Sequence, residues 1–502
     1  PRRSGGCTIM AIKLYDATQD NTITNAFKAD LLTRATGSNM GAADILETFV
    51  IHGQTSASIN SQNAEEARIL LQFDIDKIST DRNNGVIPTS GNVDFILKVK
   101  NAAHADTLPD NLTLDVKIIS SSWDEGRGLD MDGYKDIGQC SWTKRTSGAD
   151  WNGTGSDYFT DVNVNNFSAS VLFPNGDEDL ELDVTPAVED WIAGTRNNYG
   201  FLIKNTDSAI SGNIGSLFTK RFHARSTEFF VKRPVIEARW DDSSKDHRAS
   251  FFLSSSILSA ADNLNTLFLY NRFRGNLTNI SGLSEDALSV SFYTASSGGT
   301  PIGSPAIVTD ATGAAVTAVE CGRQILNGVR ATGIYTASFA ATSSEATLFD
   351  VWFSGSTQFF TGSFKPNSTA PNLEDRTEPY FNKLTNLKPV YHKLEKPRLR
   401  LFARPKRWQP TIYTVASVDQ ENTIIEDAYY KVFRLEDNEE IVSYGTGTMK
   451  YSRLSYDVSG NYFDLDMTPF EEGYSYGIQL AYYLQGQYKE QEEIFKFRVE
   501  EP

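Results

Sequence analysis

One stretch constrains this chain more than any other: Leu180-Glu-Leu-Asp-Val-Thr-Pro-Ala-Val-Glu-Asp-Trp-Ile-Ala-Gly194, followed by Thr-Arg-Asn-Asn-Tyr-Gly-Phe-Leu-Ile-Lys204. Leu180, Leu182 and Val184 alternate with Glu181 and Asp183, the period of a half-buried strand. The pattern breaks at Thr185-Pro186. Thr185 is placed to cap a helix, Pro186 suits its first position because no amide is needed there, and Gly194 suits a left-handed stop. Val188, Trp191 and Ile192 fall at i, i+3 and i+4, so a two-turn helix should press a Trp onto a sheet while Glu189 and Asp190 face water. Tyr199 to Lys204 is expected to return as a strand.

This strand, Trp-bearing helix and Asn-Tyr-Gly strand resemble the "DVT…W" segment of the DNRLRE family, a jelly-roll module similar to carbohydrate-binding modules. Arg68-Ile-Leu-Leu-Gln-Phe-Asp-Ile75 resembles that family's early strand. Ser122-Trp-Asp-Glu-Gly126 and Ser141-Trp-Thr143 are similar to its "W-x-E-G" and "x-T-W" positions, and Pro234-Val-Ile-Glu-Ala238 to its closing strand. The run Trp123 to Asp136 further resembles virion structural proteins of tailed, T4-like marine phages. So do Gly460-Asn-Tyr-Phe-Asp-Leu-Asp-Met467 and Gly473-Tyr-Ser-Tyr-Gly-Ile478 near the C-terminal end. The resemblance implies a jelly-roll sandwich over residues 11–240 and a structural role in a virion assembled in a host cytoplasm.

At 502 residues the chain exceeds one core. No window holds a sustained 3.6-residue apolar stripe, so an all-β chain is expected. Ile69, Leu71, Phe73 and Ile75 share a face, as do Val93, Phe95, Leu97 and Val99, then Leu114, Val116 and Ile118; residues 11–66 show little periodicity. The charged run Asp241–Arg248 reads as a domain boundary or linker. After it, Leu288, Val290 and Phe292 alternate with polar residues, and 250–365 is expected to be an immunoglobulin-like sandwich. Pro366 to Pro379 is a second linker candidate. A second immunoglobulin-like sandwich is expected over 385–502, where Tyr476, Ile478, Leu480, Tyr482 and Leu484 share one face and Phe495, Phe497 and Val499 another.

Lys plus Arg at 47 against Asp plus Glu at 64 gives a net charge of −17, a field that repels nucleic acid and anionic membrane, so neither is an expected partner. Cys7, Cys140 and Cys321 are odd in number and far apart, which fits inert thiols in a reducing compartment. Met10 resembles a natural start, so the first nine residues read as an extension.

Three groups of residues are candidates for function. Between 123 and 160 lies a long insertion rich in Asp, Gly and Trp, where Trp123, Tyr134, Trp142 and Trp151 could stack on sugar rings or pack a core. Within it Asp130, Asp132 and Asp136 have a spacing that could wrap calcium, the one cofactor in view, or could simply shape exposed turns. Third, Lys388 to Arg407 carries eight basic residues against Glu395 alone, a local +7. With four prolines over 388–410 it is expected to be an extended segment whose Arg398, Arg400, Phe402, Arg404, Arg407 and Trp408 dock on an acidic protein surface; a solvated basic edge strand is the alternative.

The five His residues are dispersed, and no nucleophile elbow or phosphate loop is present, so no enzyme is expected. The function expected is therefore a non-enzymatic virion structural protein, of the neck, tail or fibre or decorating a capsid. It would dock on other virion proteins and form a homo-oligomer in the particle. A carbohydrate-binding adhesin that grips a cell-surface glycan is the alternative.

Overall fold

The computed structural model describes residues 11–501 except 55–60, 62, 104–109, 160–166, 284–286, 327–328, 343–344, 346, 367–379 and 408–421. The chain is all-β, its sheets packed as sandwiches. It divides into two compact units, Ile12–Trp240 and Asp241–Pro502.

The first unit has ten principal strands: β1 (Ile12–Thr24), β2 (Ile45–Ile51), β3 (Glu65–Phe73), β4 (Asp94–Val99), β5 (Leu112–Ile118), β6 (Ser168–Phe173), β7 (Leu180–Asp183), β8 (Phe201–Asn205), β9 (Leu217–His223) and β10 (Val235–Arg239). One sheet runs β7-β4-β10-β1 and the other β1-β3-β8-β5-β6, with β2 and β9 continuing from β3. Strand β1 belongs to both, pairing with β10 over Ile12–Asp16 and with β3 from Ala17 onward, and a bulge between Ala17 and Gln19 marks the change. This explains the weak periodicity of residues 11–24. Asp20, Asn21, Thr22 and Thr24 are all buried; the Thr24 hydroxyl donates to Glu66 O and the Asn21 amide to Cys140 O, so polar side chains occupy an interior where alternation is lost.

Around residues 180–204 the strand β7 forms and helix α2 (Thr185–Ile192) follows it. Thr185 is not the cap expected of it. Val184 holds that position without a side-chain hydrogen bond, and the Thr185 hydroxyl instead accepts the Phe95 N–H at 2.8 Å, tying the helix start to β4. Ala187, Val188 and Trp191 are buried, and the Trp191 ring lies 4.9 Å from that of Phe201 on β8. Neither Glu189 nor Asp190 simply faces water: Glu189 takes both arms of Arg82 at 2.6 and 2.7 Å, and Asp190 pairs with Arg196. Gly200 precedes β8 at φ +86°, where a Cβ would sit 1.9 Å from Leu71 O; no other residue fits so close to a neighbouring strand. After β3, a helix α1 (Ile75–Asn83) starts where Asp74 accepts the N–H groups of Asp76 and Lys77, so Ile75 is helical rather than the last residue of a strand.

In the second unit the strands β11 (Asn265–Tyr270), β12 (Leu288–Tyr293), β13 (Val308–Asp310), β14 (Ala315–Val316), β15 (Val319–Leu326), β16 (Val329–Ala340), β17 (Leu348–Ser354) and β18 (Thr357–Phe364) build one β-sandwich. They run β14-β13-β16-β15-β12-β17-β18, with β11 also on β16, and β15 serves both layers. Val290, Phe292, Phe339, Trp352 and Phe364 are among its core. The other β-sandwich sets β19 (Tyr380–Leu384), β21 (Arg398–Pro405), β25 (Gly460–Asp464) and β24 (Ser455–Asp457), in that order, against β20 (Val390–His392), β27 (Gln487–Glu500), β26 (Ser475–Leu484), β22 (Ala428–Arg434) and β23 (Glu440–Val442). Tyr430 stacks on Phe463 at 4.3 Å.

Asp241–Arg248, expected as a domain boundary or linker, opens the second unit, where it is a strap fixed to both sandwiches of that unit. Asp246 N–H donates to Tyr456 O, Thr266 N–H donates to His247 Nδ1, and the Arg248 guanidinium clasps the fully buried Asp350 at 2.7 and 2.8 Å. Burial pushes the Asp246 carboxyl up to about 6 and the His247 imidazole down to about 4. Of the second linker candidate, 367–379 lie outside the described residues.

Candidate interaction surface

The tryptophan insertion is a core. Trp123, Trp142 and Trp151 are 4, 6 and 5% exposed and cluster with Ile23, Leu70, Ile119, Cys140 and Leu202. The reason lies in β3. Leu70 pairs with Leu202 and Arg68 with Ile23, so these side chains share the face opposite to Ile69 and Leu71, and an apolar face of that size needs cover. The three indoles supply it. Trp123 Nε1 donates to Tyr199 O and Trp151 Nε1 to Ser141 O, each at 2.9 Å, while the Arg68 guanidinium lies 4.7 Å over Trp142. Buried rings present no face to a sugar, so the stacking role expected for Trp123, Trp142 and Trp151 is corrected to packing; only Tyr134, 70% exposed, remains open.

Asp130, Asp132 and Asp136 do not converge. Asp130 Oδ1 accepts the N–H groups of Asp132, Gly133 and Tyr134, which holds its carboxyl below the usual range; Asp136 Oδ2 accepts Arg127 N–H; Asp132 faces Lys28 at 3.7 Å. These are turn-shaping contacts. Among the described residues no three His, Cys, Asp or Glu side chains could hold a metal ion, so the calcium reading is corrected to the turn reading.

Nor is the basic stretch a free extended segment or an edge. Its centre, β21, pairs with β19 on one side and β25 on the other. Leu399, Leu401 and Ala403 point into the core, while Arg398, Arg400, Phe402 and Arg404 share the outer face, half-buried. Carboxylates of the same sandwich absorb much of the charge: Arg398 binds Asp464 at 2.8 Å through two nitrogens, Arg400 binds Asp457 at 2.9 Å, Lys396 meets Asp466 at 2.6 Å and Lys406 meets Glu492 at 3.2 Å. Arg398 also lies 4.3 Å over the Tyr462 ring. Arg398 and Arg400 therefore hold the fold together and leave the docking set. The other end of this face differs. Phe381 on β19 is 41% exposed beside Arg404, whose guanidinium lies 5.2 Å over its ring, and Lys383 is exposed opposite Phe402. Arg407 is exposed beyond the strand, and Trp408 lies outside the described residues. Phe381 and Lys383 were not singled out in the sequence; their alternation with Tyr380, Asn382 and Leu384 was the available signal.

A charge network around the buried Asp20 in the first unit also escaped sequence reading. Asp20 N–H donates to Glu125 Oε1, the Asp20 carboxylate accepts Arg225 N–H, and Arg225 grips Glu125 at 2.8–3.1 Å. Burial pushes the Asp20 carboxyl up to about 7; the nearby Glu125 charge adds to the rise and Arg225 opposes it. The glycines beside Glu125 let the loop in: a Cβ at Gly128 would lie 1.8 Å from Asn39 O.

No family model and no curated protein matches the chain. Among solved structures it is similar to trypsin-activated alpha-2-macroglobulin from Escherichia coli, at a TM-score of 0.14 and 9% identity. That alignment covers 98% of this chain and 29% of the other, a likeness too low to inform fold or function. Among the described residues no helix is long and apolar enough to cross a membrane.

Proposed function

We propose that the chain is a non-enzymatic structural protein of a tailed-phage virion, whose sandwich modules dock on neighbouring virion proteins during assembly in the host cytoplasm. The observation that carries the docking is the aromatic, Lys-bearing half of the β19–β21 face: Phe381 and Lys383 are exposed and stand beside the half-buried Phe402 and Arg404. Aromatic and Arg side chains of this kind anchor interfaces, and the positive field selects an acidic partner and its orientation. The virion setting is supported by the resemblance of Trp123–Asp136 and Gly460–Ile478 to phage structural proteins.

Lys383→Glu with Arg404→Glu tests it. Full-length protein with both changes should keep its melting temperature yet be missing from purified particles, whereas wild-type protein is incorporated. Incorporation at the wild-type level overturns the docking role. Saturable binding to a glycan array would move the assignment to an adhesin, for which Tyr134 is the sole exposed ring of the four considered.

A further inference from the structure

Lys220, on β9, is fully buried, and the surroundings of its Nζ differ from those of the other lysines held inside the first unit. Lys204 faces the Asp207 carboxylate at 2.6 Å and Lys98 faces Glu237 at 3.2 Å, each a cation against an acid. Lys220 Nζ instead donates to three carbonyl oxygens: Asn101 Oδ1 at 2.6 Å, Gly176 O at 2.7 Å and Glu178 O at 2.8 Å. The rings of Phe173 and Phe222 lie 5.0 and 4.9 Å from it. Burial pushes its ammonium down to about 8, against the opposing pull of Glu178, Asp179 and Asp177. A neutral amine, the nucleophilic form of lysine, is therefore populated near neutral pH.

The backbone fixes the other partner. Beyond β4 the chain is stitched to β9: Asn101 bridges Phe222, Ala102 N–H donates to Arg221 O at 3.1 Å and His223 N–H to Lys100 O at 2.9 Å. Asp179 Oδ1 accepts the Asn101 N–H at 2.7 Å, so residue 101 is held from both sides. Its carboxamide is thus kept against an amine that burial has made less basic. Two reacting groups fixed in contact inside a fold react far faster than the same groups free in water.

We propose that Lys220 and Asn101 are a self-modification site, joined side chain to side chain by an amide bond that the folded chain forms on itself. The Nζ lone pair forms a bond to Asn101 Cγ and the Cγ–Nδ2 bond breaks. One Nζ proton goes to Nδ2, which leaves as ammonia; nothing is oxidised or reduced, and no co-reactant enters. Asn101 is half-exposed, so ammonia has a way out, while the burial of Nζ keeps water from the new bond. The product exchanges a buried cation for a neutral amide and so removes the cost of desolvating the charge. It also ties the sheet that contains β4 to the sheet that β9 continues, across 119 positions of sequence. A link closing so long a loop takes much freedom from the unfolded chain. Neither the virion setting nor the β19–β21 docking face enters into it.

The mass of the purified full-length chain, measured after denaturation, tests the bond. Wild-type protein should weigh less than its sequence by one ammonia. A tryptic digest should contain a branched peptide in which the Asn101 and Lys220 side chains are joined, with cleavage after Lys220 lost. Asn101→Ala and Lys220→Arg should each restore the full sequence mass, a readout that needs neither variant to fold. A permanent ammonium held by three oxygens is the alternative state of Lys220, and it leaves the mass of the wild type unchanged. Wild-type protein at full mass overturns the proposal, and so does a loss of ammonia that maps to other residues or persists in Asn101→Ala.

Discussion

Residues 119–159 of the first unit and 388–407 of the second carry the two sequences that most suggest binding, and the fold treats them differently. The first is taken up whole: three indoles pack on a sheet face that would otherwise stand bare, with the N–H groups of Trp123 and Trp151 matched to carbonyls. The second is taken up in part. Leu399, Leu401 and Ala403 enter a core, Arg398 and Arg400 pair with Asp464 and Asp457, and Phe402 and Arg404 stay half-buried on the outer face, Arg404 over the exposed Phe381 ring. Aromatic composition alone says little about binding, because a second buried sheet face creates the same demand for Trp as a ligand does. A basic run likewise has to be counted against the acids that pair with it across a sheet, which lie some 57 and 66 positions away in sequence.

The largest effect is expected at Trp142. Trp142→Ala empties a buried ring site and strips Arg68 of its cover, so the first unit should lose about 3–5 kcal/mol. Calorimetry would show its melting transition moving down while the second unit's stays in place. A variant of normal stability would mean that the insertion is not a core, and would reopen the sugar-stacking role.

The strands with alternating sequences were legible: β4, β5, β12 and β26 lie where alternation places them, although only β5 alternates cleanly between buried and half-buried positions. What escaped has a physical cause in each case. Strand β1 hides its period because it passes from one sheet to the other and buries Asp20, Asn21 and Thr22. The helix after β3 depends on a single cap, Asp74. The run at 241–248 was legible as a boundary but not as a strap, because its buried ionic partner Asp350 comes from a strand a hundred residues later. The docking set was half legible: Arg404 and Phe402 stand half-buried beside the exposed Phe381 and Lys383, and only the register of β21 with β25 could reveal the pairing of Arg398 with Asp464.

Next in size is the pH response of the first unit. An acid whose folded pKa is raised stabilises the fold through its bound proton; the contribution is fully present below about pH 4, the unfolded value, and is lost as the pH rises through about 7, where Asp20 ionises. Asp20→Asn keeps an acceptor for Arg225 N–H and never ionises. Its stability relative to wild type should therefore improve by about 2–4 kcal/mol between pH 5 and pH 8. A difference independent of pH would show that Asp20 is already ionised throughout.

The two ends of the β21 face give the smallest pair of effects and the closest control. Arg398→Glu leaves Asp464, 9% exposed in its side chain, facing a second carboxylate across the strand pair and removes the cation over Tyr462, so the second unit should lose about 1–3 kcal/mol, the cost of an uncompensated, partly buried charge. Lys383→Glu and Arg404→Glu, on exposed and half-buried positions of the same sheet, should each change stability by no more than about 0.5 kcal/mol. Chemical denaturation measures both. If Arg404→Glu proves as costly as Arg398→Glu, then Arg404 belongs to the fold, the surface left for docking shrinks to Lys383 and its aromatic neighbours, and exclusion of the double variant from particles would report unfolding rather than a lost contact.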